Sequence, residues 1–389
     1  MSAVMPTYGR VEIAFESGEG PYLFTGDGRR YLDFTSGIAV TGLGHSHPRL
    51  VAALTEQAGK LWHSSNLYRI PGQERLAERL AAHSFADQVF FCNSGAEAIE
   101  GVIKVARKYQ YQAGHPERNR VIAFSGAFHG RTLATLAAGD NENMRVGFTP
   151  LAGGFDHVAF GNLNETRAAI TKETAAILVE PVQGESGVYP VPDGFLRGLR
   201  QAADEFGLLL CYDEVQCGMG RTGELFAYER DGVAPDVMGL AKGLGGGFPM
   251  GAVLATEKAA AGMVAGTHGS TFGGNYLAAA CGNAMLDALL EDGFLDHVKA
   301  IGETLKARTQ EVVARHPKAI EAVRGVGLMI GMICVVPNGD LVTAMRERGV
   351  LTVPAGGNVM RFLPPLIIDE SHVDEAMEAL DAACAEVVA

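Results

Sequence analysis

The sequence predicts an α/β protein with a large central, mostly parallel sheet and a smaller α+β domain beside it. Between about residues 73 and 255, apolar strands alternate with helical stretches, the rhythm of parallel βα units covered by helices on both faces. After about residue 277 that rhythm gives way to long helices and short, separated strands. A chain of 389 residues suits about two or three domains.

Taken in order, GPYLFTGDGRRYLDF (20–34) reads as a β-hairpin, two aromatic-rich strands around a Gly-Asp-Gly turn. After GHSHPRL (44–50) the spacing turns helical, with Leu50, Ala53, Leu54, Ala58 and Leu61 on one face. The strand candidates then follow as QVFFC, RVIAFS, AAILVEPV, LLLCYDE, VMGLAKG and GAVLAT. Helices are expected over 277–291, about 294–314 and 370–387, with short strands near 327–335 and 359–363. The expected division is an N-terminal segment 1–45 contributing to the small domain, a large domain 46–275, and a C-terminal α+β part 276–389. No internal repeat or linker-like stretch interrupts it.

Composition narrows the function. A net charge of −13 with no offsetting Lys/Arg cluster argues against a nucleic-acid surface, so any anionic ligand must meet a few placed arginines. The 50 glycines exceed the usual share of about 7% and gather beside the motifs. Six cysteines (92, 211, 217, 281, 334, 384) form no CxxC or metal spacing; Cys92, Cys211 and Cys281 read as reduced core thiols. With neither a basic-then-apolar leader nor an apolar run of spanning length, the expectation is a cytoplasmic protein without membrane contact.

Two residues carry chemistry. Asp213 ends the apolar run of LLLCYDEVQCGMGRTG (208–223), and Lys242 is the only lysine in PDVMGLAKGLGGGFPMGA (235–252). An amine on a glycine loop and a carboxylate at a strand end suit pyridoxal 5'-phosphate (PLP), which needs a lysine Schiff base and an acid holding its pyridine nitrogen protonated. In QVFFCNSGAEAIEGVIKVARKYQY (88–111), Ser94 and Glu97 have the spacing of a capping box and Gly95 permits close approach. The helix start suits a phosphate. Neither a P-loop nor a Rossmann fingerprint is present, since GLGGG (243–247) opens no dinucleotide-type helix.

Other segments add candidates. In AFSGAFHGRT (123–132), Phe128 suits ring stacking and Arg131 a substrate carboxylate, while His129 reads as a hydrogen bonder stabilising the loop. VEPVQGESGV (179–188) offers Glu180 and Glu185, one of which is expected to face the site and pair with an arginine. THGSTFGGN (267–275) offers the Ser270 and Thr271 hydroxyls.

With these segments in order, the chain resembles the class III (ornithine-type) aminotransferases of PLP fold type I, in particular their acetylornithine branch. The matching strings run from YLDFTSGIAVTGLGHSHP through LWHSSNLYRIPGQERLAERL, NSGAEA, FHGRT, EPVQGESG, DEVQCGMGRTG, AKGLGGGFPMGA and GTHGSTFGGN to VMRFLPPL, covering residues 31–365. The resemblance implies that Lys242 carries PLP and Asp213 pairs with its pyridine nitrogen. It implies that Phe128 and Val215 sandwich the ring, Gln216 meets the phenolic oxygen, and Glu214 belongs to the same cofactor-binding run. The phosphate would rest on Gly95 and Ala96, with Thr271 reaching in from the second subunit of a homodimer. Arg131 would take a substrate carboxylate, Ser270 would assist, and Glu185 and Arg361 would form a switch pair. The implied substrates are N2-acetylornithine and 2-oxoglutarate. Ile38 stands where ornithine-specific relatives carry tyrosine, which favours an N-acylated donor. Ile99 and Gly101 also depart from the common pattern, which has asparagine and alanine there. Succinylornithine, succinyl-diaminopimelate, ornithine and 4-aminobutyrate remain as donors, and a same-fold aminomutase or decarboxylase, or a non-enzymatic descendant, as other classes.

Overall fold

The computed structural model describes residues 3–389. Its centre is a seven-stranded sheet in the order Gln88–Cys92, Gly251–Ala255, Val237–Leu240, Leu209–Asp213, Thr174–Val179, Arg120–Phe124, Phe155–Val158. Six strands run parallel; Gly251–Ala255 is antiparallel to both its neighbours. All six strand runs expected from the sequence lie in this sheet, and Phe155–Val158 is an additional edge strand.

Period-two alternation gives the sheet two apolar faces. Val121, Leu178, Leu209, Cys211, Val237 and Val253 face the helix Gly95–Gln112, which buries Ile99, Val102, Ile103 and Ala106 against them. Ile122, Phe124, Ile177, Leu210, Tyr212 and Met238 face the larger core on the other side. The helix meets the sheet closely because of its two unusual residues. A Cβ at Gly101 would stand 2.6 Å from Val253 Cγ2, and Ile99 Cδ1 fills the space over Gly239, where a Cβ would meet it at 2.6 Å. A mid-helix glycine costs about 1 kcal/mol against alanine, which this approach offsets.

The hairpin forms as Tyr22–Thr25 against Arg30–Asp33, with Tyr22 opposite Leu32. Phe15–Glu19 adds a third strand on one side. On the other, Val350–Leu351 pairs in parallel with Leu32 and Asp33, tying the chain's beginning to its end. A second four-stranded sheet, Ile320–Val326, Met329–Cys334, Val359–Phe362 and Val353–Ala355, carries Arg361 opposite Gly331. The expected helices occur at Pro48–Ala58, Tyr276–Leu289, Phe294–Arg315 and Glu370–Val387. Among the described residues no helix is long and apolar enough to cross a membrane.

The fold gathers chemistry along one edge. Ser94 follows the strand ending at Cys92, Phe128 the one ending at Phe124, Glu180 the one ending at Val179 and Lys242 the one ending at Leu240, while Asp213 ends its own strand. All five lie at carboxyl ends of parallel strands, the side on which open α/β sheets bind ligands.

Candidate active site

That edge opens into a cavity of about 440 Å³ lined by Lys242, Asp213, Phe128, Val215, Gln216 and the helix start at Gly95 and Ala96. Asp213 is buried, with Oδ2 2.7 Å from His129 Nδ1 and Oδ1 accepting the Val215 N–H at 3.0 Å. His129 is also buried, and its Nε2 meets no partner among the described residues. Opposed to this acid dyad is a base. Lys242 sits on a short 3₁₀ turn with φ of 43°, an uncommon conformation for a residue with a side chain. Burial, then the Arg361 cation, pulls its amine from 10.5 to about 8, with Asp213, Glu185 and Glu180 opposing.

The helix start is built as the sequence suggests, with one difference. Ser94 Oγ accepts the Glu97 N–H at 3.3 Å, but Glu97 returns its bond to the backbone N–H of Asn93 at 3.0 Å, one residue earlier than in a standard capping box. Gly95 and Ala96 thus open the helix at the cavity wall, where first-turn N–H groups have no intrahelical acceptor. A Cβ on Gly95 would lie 2.7 Å from Val215 Cγ1, so only glycine leaves Val215 in place. A buried carboxylate, an amine of depressed basicity, a free helix start and apolar walls from Phe128 and Val215 together fit PLP.

Lys242 also lines a second space, of about 600 Å³, shared with Arg131, Glu185, Phe128, Ile38, Tyr8, Leu133, Met144 and Phe148. The Arg131 guanidinium lies 5.7 Å from the Phe128 ring centre and is exposed to this space. Ile38 belongs to a left-handed turn, Ser36–Ala39, whose three non-glycine residues cost roughly 1–3 kcal/mol each in strain.

Glu185 and Arg361, 176 positions apart, are brought into contact: Arg361 Nη2 donates to Glu185 Oε2 at 3.1 Å. The arginine is 1% exposed and further held by the carbonyls of Gly184 and Pro354 and by Gln216 Oε1 at 3.3 Å. Burial lowers its pKa against the opposing pull of Glu185.

Glu214 and Ser270 stand outside the two cavities, and so does Thr271, whose expected place is the second subunit's site and not its own. Glu214 points its carboxylate at the N–H groups of Ala227 and Tyr228, at 2.6 and 2.8 Å, and burial raises it to about 8; it anchors the turn that follows instead of lining either space. Ser270 Oγ accepts from Asn93 Nδ2 at 3.2 Å and from the Gly273 N–H at 3.0 Å, and neither it nor the exposed Thr271 lines its own chain's cavities. Two residues matter more than the sequence suggested. His129 is the direct partner of Asp213. Glu180 lines the 440 Å³ cavity and accepts the Phe128 N–H at 3.2 Å; burial and then the Asp213 charge push it well above the usual carboxylate range. Their shared signal is position, each just beyond or within a loop after a parallel strand.

A family model described as class-III aminotransferase matches residues 4–384. The chain is 58% identical over 381 residues to an acetylornithine aminotransferase of Mesorhizobium japonicum, covering 98% of this chain and 96% of that one. It is 56% identical over 387 residues to an acetylornithine aminotransferase of Rhodobacter capsulatus, covering 100% and 98%. Among solved structures, it matches the ornithine aminotransferase of Toxoplasma gondii with a TM-score of 0.95 at 30% identity over 99% of this chain and 93% of that one. The N-acetylornithine aminotransferase of Stenotrophomonas maltophilia matches with a TM-score of 0.86 at 38% identity over 98% of each chain.

Proposed function

The chain belongs to the class-III aminotransferases, and from that premise we propose that it is a PLP-dependent acetylornithine aminotransferase. It moves the δ-amino group of N2-acetyl-L-ornithine to 2-oxoglutarate, yielding N-acetyl-L-glutamate 5-semialdehyde and L-glutamate, a step of arginine biosynthesis. The observation that carries this is Lys242, which lines both cavities at once, with the Asp213–His129 dyad in the first and Arg131 in the second.

PLP, when bound, withdraws electrons from the carbon next to the substrate nitrogen. The chain's residues do the rest. Asp213 would accept the pyridine N–H, and His129, 2.7 Å away, fixes the carboxylate that would do so. Lys242 takes the proton from the donor's δ-carbon and would deliver it to the cofactor's carbonyl carbon, so that the nitrogen stays with the cofactor; an amine near 8 has a neutral fraction at neutral pH while still binding a proton well. Arg131 receives the donor's carboxylate. Ile38, Tyr8 and Phe148 offer apolar walls to its acyl end. With Glu185 on Arg361, a second carboxylate finds no free guanidinium; when Glu185 withdraws, Arg361 takes the α-carboxylate of 2-oxoglutarate.

The working unit is a cytoplasmic homodimer in which Thr271 completes the partner's site. Supporting this are the exposed Trp62, Leu67, Tyr68 and Phe272, gathered where His63 packs on Phe272 and Asn66 bonds the carbonyls of Ser270 and Gly273. The six buried, unpaired cysteines suit a reducing compartment. A monomer in sedimentation at working concentration would refute the shared site.

A half-reaction screen tests the function. Acetylornithine, succinylornithine, succinyl-diaminopimelate, ornithine and 4-aminobutyrate are each added to the PLP form, and loss of its visible band is timed. Acetylornithine is expected to react fastest, and 2-oxoglutarate to restore the band with release of glutamate. Faster reaction of ornithine or 4-aminobutyrate would overturn the substrate, and turnover without a keto acid would overturn transamination.

A further inference from the structure

Ser36, Gly37, Ile38 and Ala39 all have positive φ, at 47°, 63°, 67° and 61°. A β-branched residue is a genuine outlier there, whereas glycine is indifferent. Yet this turn walls a cavity: Gly37 and Ile38 line the space of about 600 Å³, and Val40, the residue after the turn, lines the one of about 440 Å³. One buried carboxylate holds it. Asp33, 1% exposed, accepts the N–H groups of Thr35 and Ser36 at 2.9 and 3.0 Å and the Thr35 hydroxyl at 2.6 Å on one oxygen, and sits 2.8 Å from His45 Nε2 on the other. Thr35 passes the constraint on. Its hydroxyl oxygen accepts the Gly37 N–H at 3.2 Å, and its carbonyl accepts those of Ile38 and Ala39 at 2.8 and 3.0 Å. His45 is pinned in turn by paired backbone bonds to Gly20. Gly18 leaves room for it, since a Cβ there would lie 2.6 Å from His45 Cβ.

We propose that Asp33 is a positioning residue for the amino donor: through Thr35 and the left-handed turn it sets where Ile38 stands against the donor's far end. This rests on the transaminase reading above. The donor is the longer substrate and carries an acyl group into the larger space, whereas 2-oxoglutarate is a short diacid held by arginines. A shift of the turn therefore weakens one half-reaction and spares the other.

The test uses the PLP-loaded enzyme and single-turnover rates. Asp33→Asn keeps the side chain's shape but replaces one acceptor oxygen by a donor group. It is expected to raise the half-saturating acetylornithine concentration roughly 10-fold, with the maximal rate and the 2-oxoglutarate half-reaction each changing less than about threefold. Ile38→Gly, which removes the wall while relieving the backbone, is expected to reproduce that donor-specific loss without lowering the thermal midpoint. Equal losses in both half-reactions, or unchanged donor saturation in Ile38→Gly, would overturn the proposal. If Asp33→Asn does not fold, Ile38→Gly alone decides. If the unaltered enzyme ignores acetylornithine, it is the substrate reading that fails, and the same comparison is made with the donor it does use.

Discussion

Replacing Lys242 with methionine is expected to make the cofactor-free protein more stable. The amine is desolvated where it stands between the two cavities, and its pKa of about 8 lies below its ordinary 10.5, so the folded state holds the ammonium less readily than the unfolded chain does. The sign follows from linkage. Between pH 8 and 10.5 the unfolded state binds more protons at this group, so parent stability rises with pH through that window. Below pH 8 both states are mainly charged and the folded state bears the whole penalty. At 1.36 kcal/mol for each pH unit, the gap from 10.5 to about 8 amounts to roughly 3 kcal/mol at pH 7. At pH 9.5, where the unfolded amine is about nine-tenths charged and the folded one nearly neutral, roughly 1.4 kcal/mol remains. Methionine has similar volume and carries no charge.

The assay is urea unfolding of PLP-free parent and Lys242→Met at pH 7 and pH 9.5. The variant should exceed the parent by about 3 kcal/mol at the lower pH, with the difference roughly halved at the higher. It should also lose multiple-turnover transamination. A variant no more stable than the parent at pH 7, or a difference that ignores pH, would refute the electrostatic account of the site.

Arg361→Ala should slow the 2-oxoglutarate half-reaction by roughly 30- to 4,000-fold, about 2–5 kcal/mol for a desolvated guanidinium–carboxylate contact, and affect the donor half far less. Arg131→Ala should weaken both halves, and equal losses in the two halves for Arg361→Ala would exclude a switch. Gly95→Ala should weaken PLP binding by about 1–3 kcal/mol through the clash with Val215, and Val215→Ala should restore much of it; titration with PLP reads both, and no rescue would mean that the phosphate, not Val215, feels the methyl. His129→Leu should reduce PLP affinity by roughly 10- to 100-fold, since a hydrogen bond to a charged group contributes about 1.5–3 kcal/mol; unchanged affinity would assign His129 to the loop alone.

The sheet was legible because runs such as VFF, VIAF and AILV are long and apolar enough to declare buried strands. Phe155–Val158 was not, because FDHV at a sheet edge is half polar. Phe15–Glu19 was hidden likewise, as FESGE has one apolar side chain. The direction of Gly251–Ala255 was legible but easily passed over. Only residues 241–250 separate it from Val237–Leu240, too few for a parallel crossover of about a dozen residues, so it must turn back. The site divides similarly. Lys242 and Asp213 stand out because their residue types are rare in such surroundings. His129 looked ordinary because its partner Asp213 lies 84 positions away and no periodicity joins a loop to a strand end. Asp33 is invisible for another reason: nothing in TSGIA announces four consecutive left-handed residues, three of which are not glycine.

The Glu185–Arg361 pair does more than sort substrates. Arg361 is the largest influence after burial that lowers Lys242, and Glu185 is among those that raise it. Were Glu185 to leave with no anion replacing it, the arginine's field would act unopposed and the base would weaken. In the proposed cycle this does not happen, because the α-carboxylate of 2-oxoglutarate arrives where Glu185 has been. An anion faces Arg361 in each half-reaction, and Lys242 meets both with similar basicity. Glu185→Gln breaks that symmetry in the donor half alone. Glutamine keeps the size and the acceptor oxygen but not the charge, so the free Lys242 amine should lose its proton at lower pH. The acid limb of the acetylornithine half-reaction should therefore move to lower pH, while that of the 2-oxoglutarate half stays, and glutamate-like α-amino donors should react faster at the unmasked arginine. Stopped-flow rates between pH 5.5 and 9 decide it. An acid limb that stays fixed, or moves upward, would mean that Glu185 acts on Arg361 only as a steric gate.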